Sequence, residues 1–465
     1  MFPRRFLERI RCPYCGGRLQ EECSIEASET AIRAGVVRCA CNYYPLLEGI
    51  LLLRPDPAFE RARDLLLAGD AKSALLAALP APRSTRARRW LGRLAAVSPG
   101  VVGRALHERE RSEKRSFVSA ATFLDAVMWG RLASYGYYLY HRYANPNFLA
   151  AIPALLLFRA VAGSSSGDTR DEEVRPVLDL SAGAGHASYL LRLLRPEIPV
   201  VSADMDFLNL ALARRFLLPE EPLLCLDAEH PLPFTDDFLG GIYCGDAFYC
   251  YRAKTAVVRE LERTVAQQGI WAFPRLWNAA VYDLSSGFPM TAEQYMRCFE
   301  RANPVLLPES FVFDRFMREQ CLDLTYVASP EELAGERGYL LLASRSGFIG
   351  NGQEGLGEAF TRTWRDIAIN PIYRVEESPD HLDLRLAWPP ADHVDRSLQD
   401  DCAPVEDYLP ESCRLDQGLL QRLGEGTWTP EDAERVARLL CDFVLVRLPP
   451  DYGHRSIAVA QKRAT

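Results

Sequence analysis

Acids and glycines spaced to hold a charged nucleoside fall between residues 176 and 249. Pro176-Val177-Leu178-Asp179 reads as a short strand running into Leu180-Ser181-Ala182-Gly183-Ala184-Gly185-His186, and Ala187 to Leu194 continues with helix-forming residues. Strand, glycine turn and helix in that order carry backbone N–H groups up to a ligand, because Gly183 and Gly185 have no Cβ to obstruct it. Two ligand classes use this device. A dinucleotide fingerprint wants Gly or Ala at position 188, where Ser188 stands, and has no use for an acid just before the turn. Asp179 therefore favours a ligand whose end carries an ammonium as well as a carboxylate, held by the acid and the glycine amides together. Val200 to Asp204 reads as a second strand ending in an acid, 19 positions after Gly185, where a carboxylate can accept bonds from ribose hydroxyls. Asp206 can share that task, with Met205 between them. Leu223 to Leu226 leads to Asp227-Ala228, a third strand end placed to meet a base, and a fourth strand, Gly241 to Cys244, opens into Gly245-Asp246-Ala247-Phe248-Tyr249. Acids at strand ends often only cap helices. Three of them at successive strand ends after a Gly-x-Gly turn point to binding instead.

A second set of residues suits a metal. Cys12-Pro13-Tyr14-Cys15-Gly16-Gly17 places two thiolates on a tight turn, and Cys39-Ala40-Cys41 follows after 23 intervening residues, so four sulfurs can close a tetrahedral zinc site. The Cys-x-Cys half is shorter than usual, which leaves Cys23 as an alternative ligand. With every ligand supplied by protein, no coordination position stays open for water, and the expected role is structural.

The elements that must position these groups belong to a globular protein of several domains. The chain has 465 residues, 48% of them hydrophobic and 25% charged, enough to bury a core and too long for a single ordinary domain. Thirteen cysteines are an odd number in a chain that needs no disulfide staples. No apolar stretch follows Arg4, Arg5, Arg9 and Arg11, so a cytoplasmic protein without a signal peptide is expected. The most apolar window, Leu149 to Ala162, holds Pro153 and Arg159 and is expected as a buried helix, with no membrane association. Residues 1 to 115 carry 21 basic and 13 acidic side chains, net +8, against 33 and 49, net −16, in the remainder. The run Arg83, Arg86, Arg88, Arg89, Arg93 is either a nucleic-acid contact or a solvated helix face. Only Trp90 interleaves it as base stacking would require, which favours the second. Prolines at 55, 57, 80, 82 and 99 break the next segment into short helices. Tyr135, Tyr137, Tyr138, Tyr140 and Tyr143 then crowd nine positions, as core or as a lid lining a pocket with His141, before a Gly163 to Asp168 hinge.

The stretch from about 174 to 346 resembles class I methyltransferases. Their D-x-G-x-G-x-G appears with Ser181 in place of the first glycine, LDAEHPLPFTDDF resembles their adenine-contacting segment, and CGDAFYCYRAKTAVVRELERTVAQQG resembles their fourth strand end, following helix and terminal Gly269, with Ile270 to Phe273 as strand five. The resemblance implies a Rossmann-like α/β domain with a mostly parallel seven-stranded sheet and S-adenosyl-L-methionine as cofactor. It places Asp179, Ser181, Gly183, Gly185, Asp204, Met205, Asp227, Ala228 and Cys244 around that cofactor. CPYCGGRL and VVRCACNYYPLLEGILLL, within residues 6 to 54, resemble the small zinc-ribbon proteins that partner tRNA and release-factor methyltransferases. That likeness implies a structural Zn²⁺ on Cys12, Cys15, Cys39 and Cys41 and a docking or substrate-presenting role.

Methyl transfer from a sulfonium needs alignment of the acceptor and exclusion of water more than covalent machinery, and a base only for a protonated acceptor. Asp246, Tyr249 and Tyr251, just past strand four, are the expected catalytic groups, with helix capping by Asp246 and pocket walls from the tyrosines as the alternative. No Asn/Asp-Pro-Pro-Tyr/Phe sequence marks the loop, so a small-molecule acceptor is the first expectation, an RNA acceptor the second and a non-catalytic cofactor-binding scaffold the third. The expected division is 1–54 zinc ribbon, 55–168 helical connector or lid, 169–348 methyltransferase domain and 349–465 an α+β extension that covers the site or mediates self-association. After strand five, 291–320 is expected as inserted helices, with Leu322 to Ala328 and Tyr339 to Ser344 completing the sheet.

Overall fold

The computed structural model describes residues 1–80, 101–128, 133–162, 174–281, 287–347, 349, 359, 364–387, 405, 407–453 and 455–457. The arginine run from Arg83 to Arg93, Trp90 and the Gly163 to Asp168 hinge lie outside the described residues.

One 12-stranded sheet spans the first three quarters of the chain. Its strands are β1 (Phe2–Pro3), β2 (Gln20–Ala27), β3 (Ala31–Arg38), β4 (Tyr43–Leu47), β5 (Ile50–Leu52), β6 (Val177–Leu180), β7 (Val200–Asp204), β8 (Leu223–Cys225), β9 (Leu239–Tyr243), β10 (Val265–Trp277), β11 (Val305–Pro308) and β12 (Gly338–Ala343). The order is β1-β3-β4-β5-β8-β7-β6-β9-β10-β12-β11, with β2 on β3. Strands β8, β7, β6, β9 and β10 run parallel, and β12 is antiparallel to both β10 and β11. Every residue of β6, β7, β8 and β9 is buried, as parallel strands covered on both faces must be, which is why they read as short apolar runs. The chain builds outward from β6 through β7 to β8, then returns to the other side of β6 for β9 and β10. The carboxyl ends of β6 and β9, where that reversal occurs, are where sheets of this kind form their ligand crevice.

One strand expectation fails for a local reason. Leu322 to Ala328 is not a strand: the Asp323 carboxylate accepts from the Thr325 backbone N–H at 2.9 Å and hydroxyl at 2.6 Å, the side-chain bonding that closes a turn. The sheet is completed by β11, inside the segment expected as helices. Its Leu306 and Leu307 are buried, and Pro308, which lacks a donor, is tolerated because β11 is the edge. The Leu149 to Ala162 window holds only the end of one short buried helix, Pro146–Leu149, and a second, Ile152–Leu156. Among the described residues no helix is long and apolar enough to cross a membrane.

Residues 1–54 continue the methyltransferase-like sheet directly, because β5 pairs in parallel with β8 in the register Ile50↔Leu223, Leu51↔Leu224, Leu52↔Cys225. The C-terminal part forms its own small sheets: β13 (Ile367–Ile369) with β17 (Leu445–Arg447), and the meander β14 (Tyr373–Glu377), β15 (His381–Leu386), β16 (Ser412–Asp416). Helices Gln417–Glu425 and Pro430–Cys441 lie between β16 and β17. One hydrophobic core joins this part to the helices 123–127, 186–194 and 207–212 on one face of the large sheet, and a second core, around Trp271, Phe273 and Phe2, fills the other face.

Candidate active site and metal centre

The turn after β6 adopts the left-handed backbone that its glycines allow, with φ +55° at Gly183 and +86° at Gly185. A Cβ on Gly185 would stand 2.7 Å from Leu218 Cδ1, whereas one on Gly183 would meet nothing within 4 Å. Gly185 is therefore required by packing and Gly183 faces open space. Ser181, where the methyltransferase pattern has glycine, also sits at φ +63°, a conformation that costs an L-residue about 1–2 kcal/mol. Its Oγ is 2.6 Å from the Tyr251 hydroxyl, which braces the turn from the β9 side.

Three amides of this turn are already committed within the protein. Ala182 N donates to Ala203 O at 2.9 Å, Gly185 N to Ala182 O at 2.9 Å, and Gly183 N to Asp204 Oδ2 at 2.8 Å. Asp204 also accepts from Asp206 N at 2.7 Å. Each of its oxygens keeps a second lone pair for a ribose hydroxyl, and burial lifts its carboxyl to about 6. Asp206 accepts from Leu208 N at 2.9 Å and so caps the helix Phe207–Leu212. Asp179 is buried, accepts from Ser188 Oγ at 2.6 Å, and is lifted to about 7 by desolvation. A buried acid of this kind fits an ammonium ligand, which would restore its charge.

The outer strand ends are more open. Asp227 Oδ1 accepts from Glu229 N at 3.0 Å, and Oδ2 lies 3.2 Å from His230 Nδ1. Met205 is 54% exposed and offers an apolar face, while Ala228 is buried. Cys244 is fully buried with its Sγ 3.6 Å from the Tyr251 hydroxyl, so only its backbone borders the crevice.

The structure separates the three residues past β9. Tyr251 turns inward under the glycine turn, toward Ser181 and Cys244. Tyr249 points the other way and meets Trp277 edge-on at 6.2 Å. Asp246, at φ +55°, caps neither following helix; its Oδ2 accepts from the Tyr138 hydroxyl at 3.2 Å. Buried Lys254 shapes this loop by donating to the carbonyls of Tyr249 at 3.0 Å, Tyr251 and Phe288. The tyrosine-rich helix Ala133–Tyr140 thus reaches the crevice: Tyr135 stacks on Tyr138 at 5.5 Å. Tyr135 keeps 39% exposure, yet desolvation lifts its hydroxyl to about 12, with Asp204 and Asp246 as neighbouring charges.

Sequence reasoning missed two charged groups on this side. Arg275 lies in the bulge of β10 at φ +61°, pairs with buried Glu309, and rests 3.9 Å over the Trp277 ring. Arg142 follows the tyrosine helix, bonds to the Tyr138 hydroxyl and lies 4.6 Å over its ring. No local motif marks either. A lone arginine in an aromatic-rich segment reads as surface until its neighbours are placed.

Within residues 1–54, the thiols of Cys12, Cys15, Cys39 and Cys41 lie within 4.8 Å of one another, and Tyr14 between the first two meets the ring of His230 at 5.8 Å. Contacts of 3.6 Å (Cys12 to Cys41), 3.7 Å (Cys15 to Cys39) and 3.4 Å (Cys39 to Cys41) approach the ~3.8 Å edge of a tetrahedron with metal–sulfur bonds of about 2.3 Å. The group is compatible with a metal ion. Cys23 is not part of it; it sits within β2, opposite Val36.

A parallel sheet that reverses between β6 and β9, with a glycine turn at that point and an antiparallel strand next to its far edge, defines the class I methyltransferase fold. Residues 178–273 match the family described as a methyltransferase domain, so the chain carries a methyltransferase domain. No curated protein aligns with it. Among solved structures it is similar to geranyl diphosphate C-methyltransferase from Streptomyces coelicolor, at 13% identity over 42% of this chain and 74% of that one, with a TM-score of 0.31. A Galdieria sulphuraria protein described as a sarcosine dimethylglycine methyltransferase is similar at 17% identity over 43% and 85%, TM-score 0.30. A complex of a Haloferax volcanii methyltransferase activator with a methyltransferase is similar at 15% identity over 45% and 93%, TM-score 0.30.

Proposed function

We propose that this protein methylates a small-molecule acceptor in the cytoplasm, and that its cysteine cluster holds a structural zinc ion. The observation that carries the reading is the joining of Asp246 to Tyr138 at 3.2 Å, which brings an aromatic roof over the crevice that contains the Asp179 and Asp204 cradle. An aromatic-walled site suits a small molecule. The net charge of −16 outside residues 1–115 opposes the phosphate contacts that dominate RNA affinity.

S-adenosylmethionine, when bound, supplies a methyl group whose leaving sulfur departs uncharged. Asp179 would hold the ammonium of its amino-acid end, Asp204 would accept from the ribose hydroxyls, and Asp227, Met205 and Ala228 would border the adenine. Ser181 and Tyr251 hold the turn that separates these groups, and the Cys244 backbone closes the side next to β9. Asp246 takes the acceptor's proton as the acceptor attacks, while Tyr138 and Tyr249 wall the site and keep water out.

Labelled S-adenosylmethionine, incubated with the protein and a cell extract split into RNA, protein and small-molecule fractions, tests this reading. Label is expected in the small-molecule fraction and is lost with Asp204→Ala. Label in RNA overturns the acceptor class, and label in no fraction, despite cofactor binding, favours the scaffold.

A further inference from the structure

The zwitterionic end of the cofactor needs a cation as well as an acid, and the glycine turn does not supply one. Its amides at Ala182, Gly183 and Gly185 already donate to Ala203 O, Asp204 Oδ2 and Ala182 O. Asp179, buried beside the same turn, would repel a carboxylate.

Arg142 stands at this place. Its guanidinium lies 4.6 Å over the Tyr138 ring and 5.2 Å over the Phe148 ring. Phe148 in turn meets the ring of His186, the first residue of the helix after the turn, at 6.3 Å. One guanidinium nitrogen donates to the Tyr138 hydroxyl, which donates to Asp246 Oδ2 at 3.2 Å. Arg142 is therefore linked through Phe148 to the helix after β6 and through Tyr138 to the loop after β9. Its charge is felt at Asp179 and at Tyr243, the last residue of β9. Among the described residues no carboxylate forms an ion pair with it. A guanidinium has five N–H donors in a planar fork that matches a carboxylate, so most of its donors remain for a ligand.

Resting on the reading that the crevice holds S-adenosylmethionine, we infer that Arg142 is the counter-ion of the cofactor's α-carboxylate. The ammonium is then held by Asp179, and the two charges of the amino-acid end are read by different parts of the chain. The segment before the methyltransferase sheet becomes half of the cofactor site.

Titration calorimetry with two ligands tests this. S-adenosylhomocysteine carries the amino-acid end, and 5′-methylthioadenosine carries the same nucleoside thioether without it. Arg142→Met is expected to weaken S-adenosylhomocysteine ~10- to 100-fold, the range for a charged hydrogen-bonded contact, and to leave methylthioadenosine within about twofold. Retained methylthioadenosine binding doubles as the folding control, and Arg142→Lys should restore part of the lost affinity. Equal weakening of both ligands, or of neither, overturns the inference alone and leaves the cofactor assignment standing. Wild-type protein that binds neither ligand overturns the cofactor reading and this inference with it.

Discussion

The two ends of the chain are fastened to the methyltransferase sheet by different physics. Residues 1–54 are joined through backbone: β5 adds to β8 as one more parallel strand, and buried Arg214 donates to Gly49 O at 2.8 Å and to Glu221 O at 2.7 Å, clamping the turn before β5. The C-terminal part shares no strand pairing with that sheet among the described residues and is held by a shared hydrophobic core and by tyrosine hydroxyls. Tyr452 lies stacked on Phe123 at 4.5 Å and Tyr140 at 5.3 Å. It accepts from His186 Nε2 at 2.8 Å and donates to Leu139 O at 2.9 Å. Tyr189 donates to Asp366 at 2.8 Å and Tyr143 to Arg447 O at 3.1 Å. A shared ladder makes the two parts one cooperative unit. A joint of side chains can loosen locally while the sheet stays intact.

That contrast is open to direct attack. The largest effect is expected at the cysteine cluster, where the proposed structural zinc would contribute folding free energy outright, as it does in isolated fingers with apparent binding of about 10–16 kcal/mol. Chelation, or replacement of buried Cys12 by Ser, should strip order from residues 1–54. Because β5 completes the edge beside β8, the whole sheet should follow. Scanning calorimetry should show one transition lowered by on the order of 10 °C. Two separate transitions, with the upper one unmoved, would show that the shared strand does not couple the parts.

Arg214→Met probes the same joint without the metal. It leaves the carbonyls of Gly49, Leu218, Pro219 and Glu221 without their shared donor, a loss expected at about 3–5 kcal/mol in denaturant unfolding. A change under 1 kcal/mol would mean that strand pairing alone carries the contact.

Local chemistry was legible in the sequence, and long-range pairing was not. Gly183 and Gly185 announced their turn because their backbone angles exclude most other residues, and β7 falls on Val200–Asp204 as read. The cysteine spacing named the four thiols that gather. Nothing in Ile50-Leu51-Leu52 names Leu223 as a partner some 170 positions away; that choice belongs to the tertiary fold. The tyrosine cluster shows the same limit. Its density signalled burial or a lid; Tyr140 and Tyr143 meet the C-terminal part, while Tyr138 bonds to Asp246 past β9 and Tyr135 stacks on Tyr138. Arg142 could not be singled out before those neighbours were placed.

Tyr452→Phe should have the smallest effect on stability and the most localised one. The ring keeps its stacking on Phe123 and Tyr140, so the apolar contribution survives. The hydroxyl takes with it the acceptor of His186 Nε2 and a donor to Leu139 O. Burial keeps that histidine neutral by lowering it to about 3, so its N–H is left unpaired in the core at about 1–2 kcal/mol. Hydrogen exchange should then quicken in residues 133–144 and 186–194, the lid helix and the cofactor helix that Tyr452 links, with no change in β5 or β8. Faster exchange in β5 and β8 as well would mean that the side-chain joint is as cooperative as the strand joint, and the contrast between the two ends would not hold.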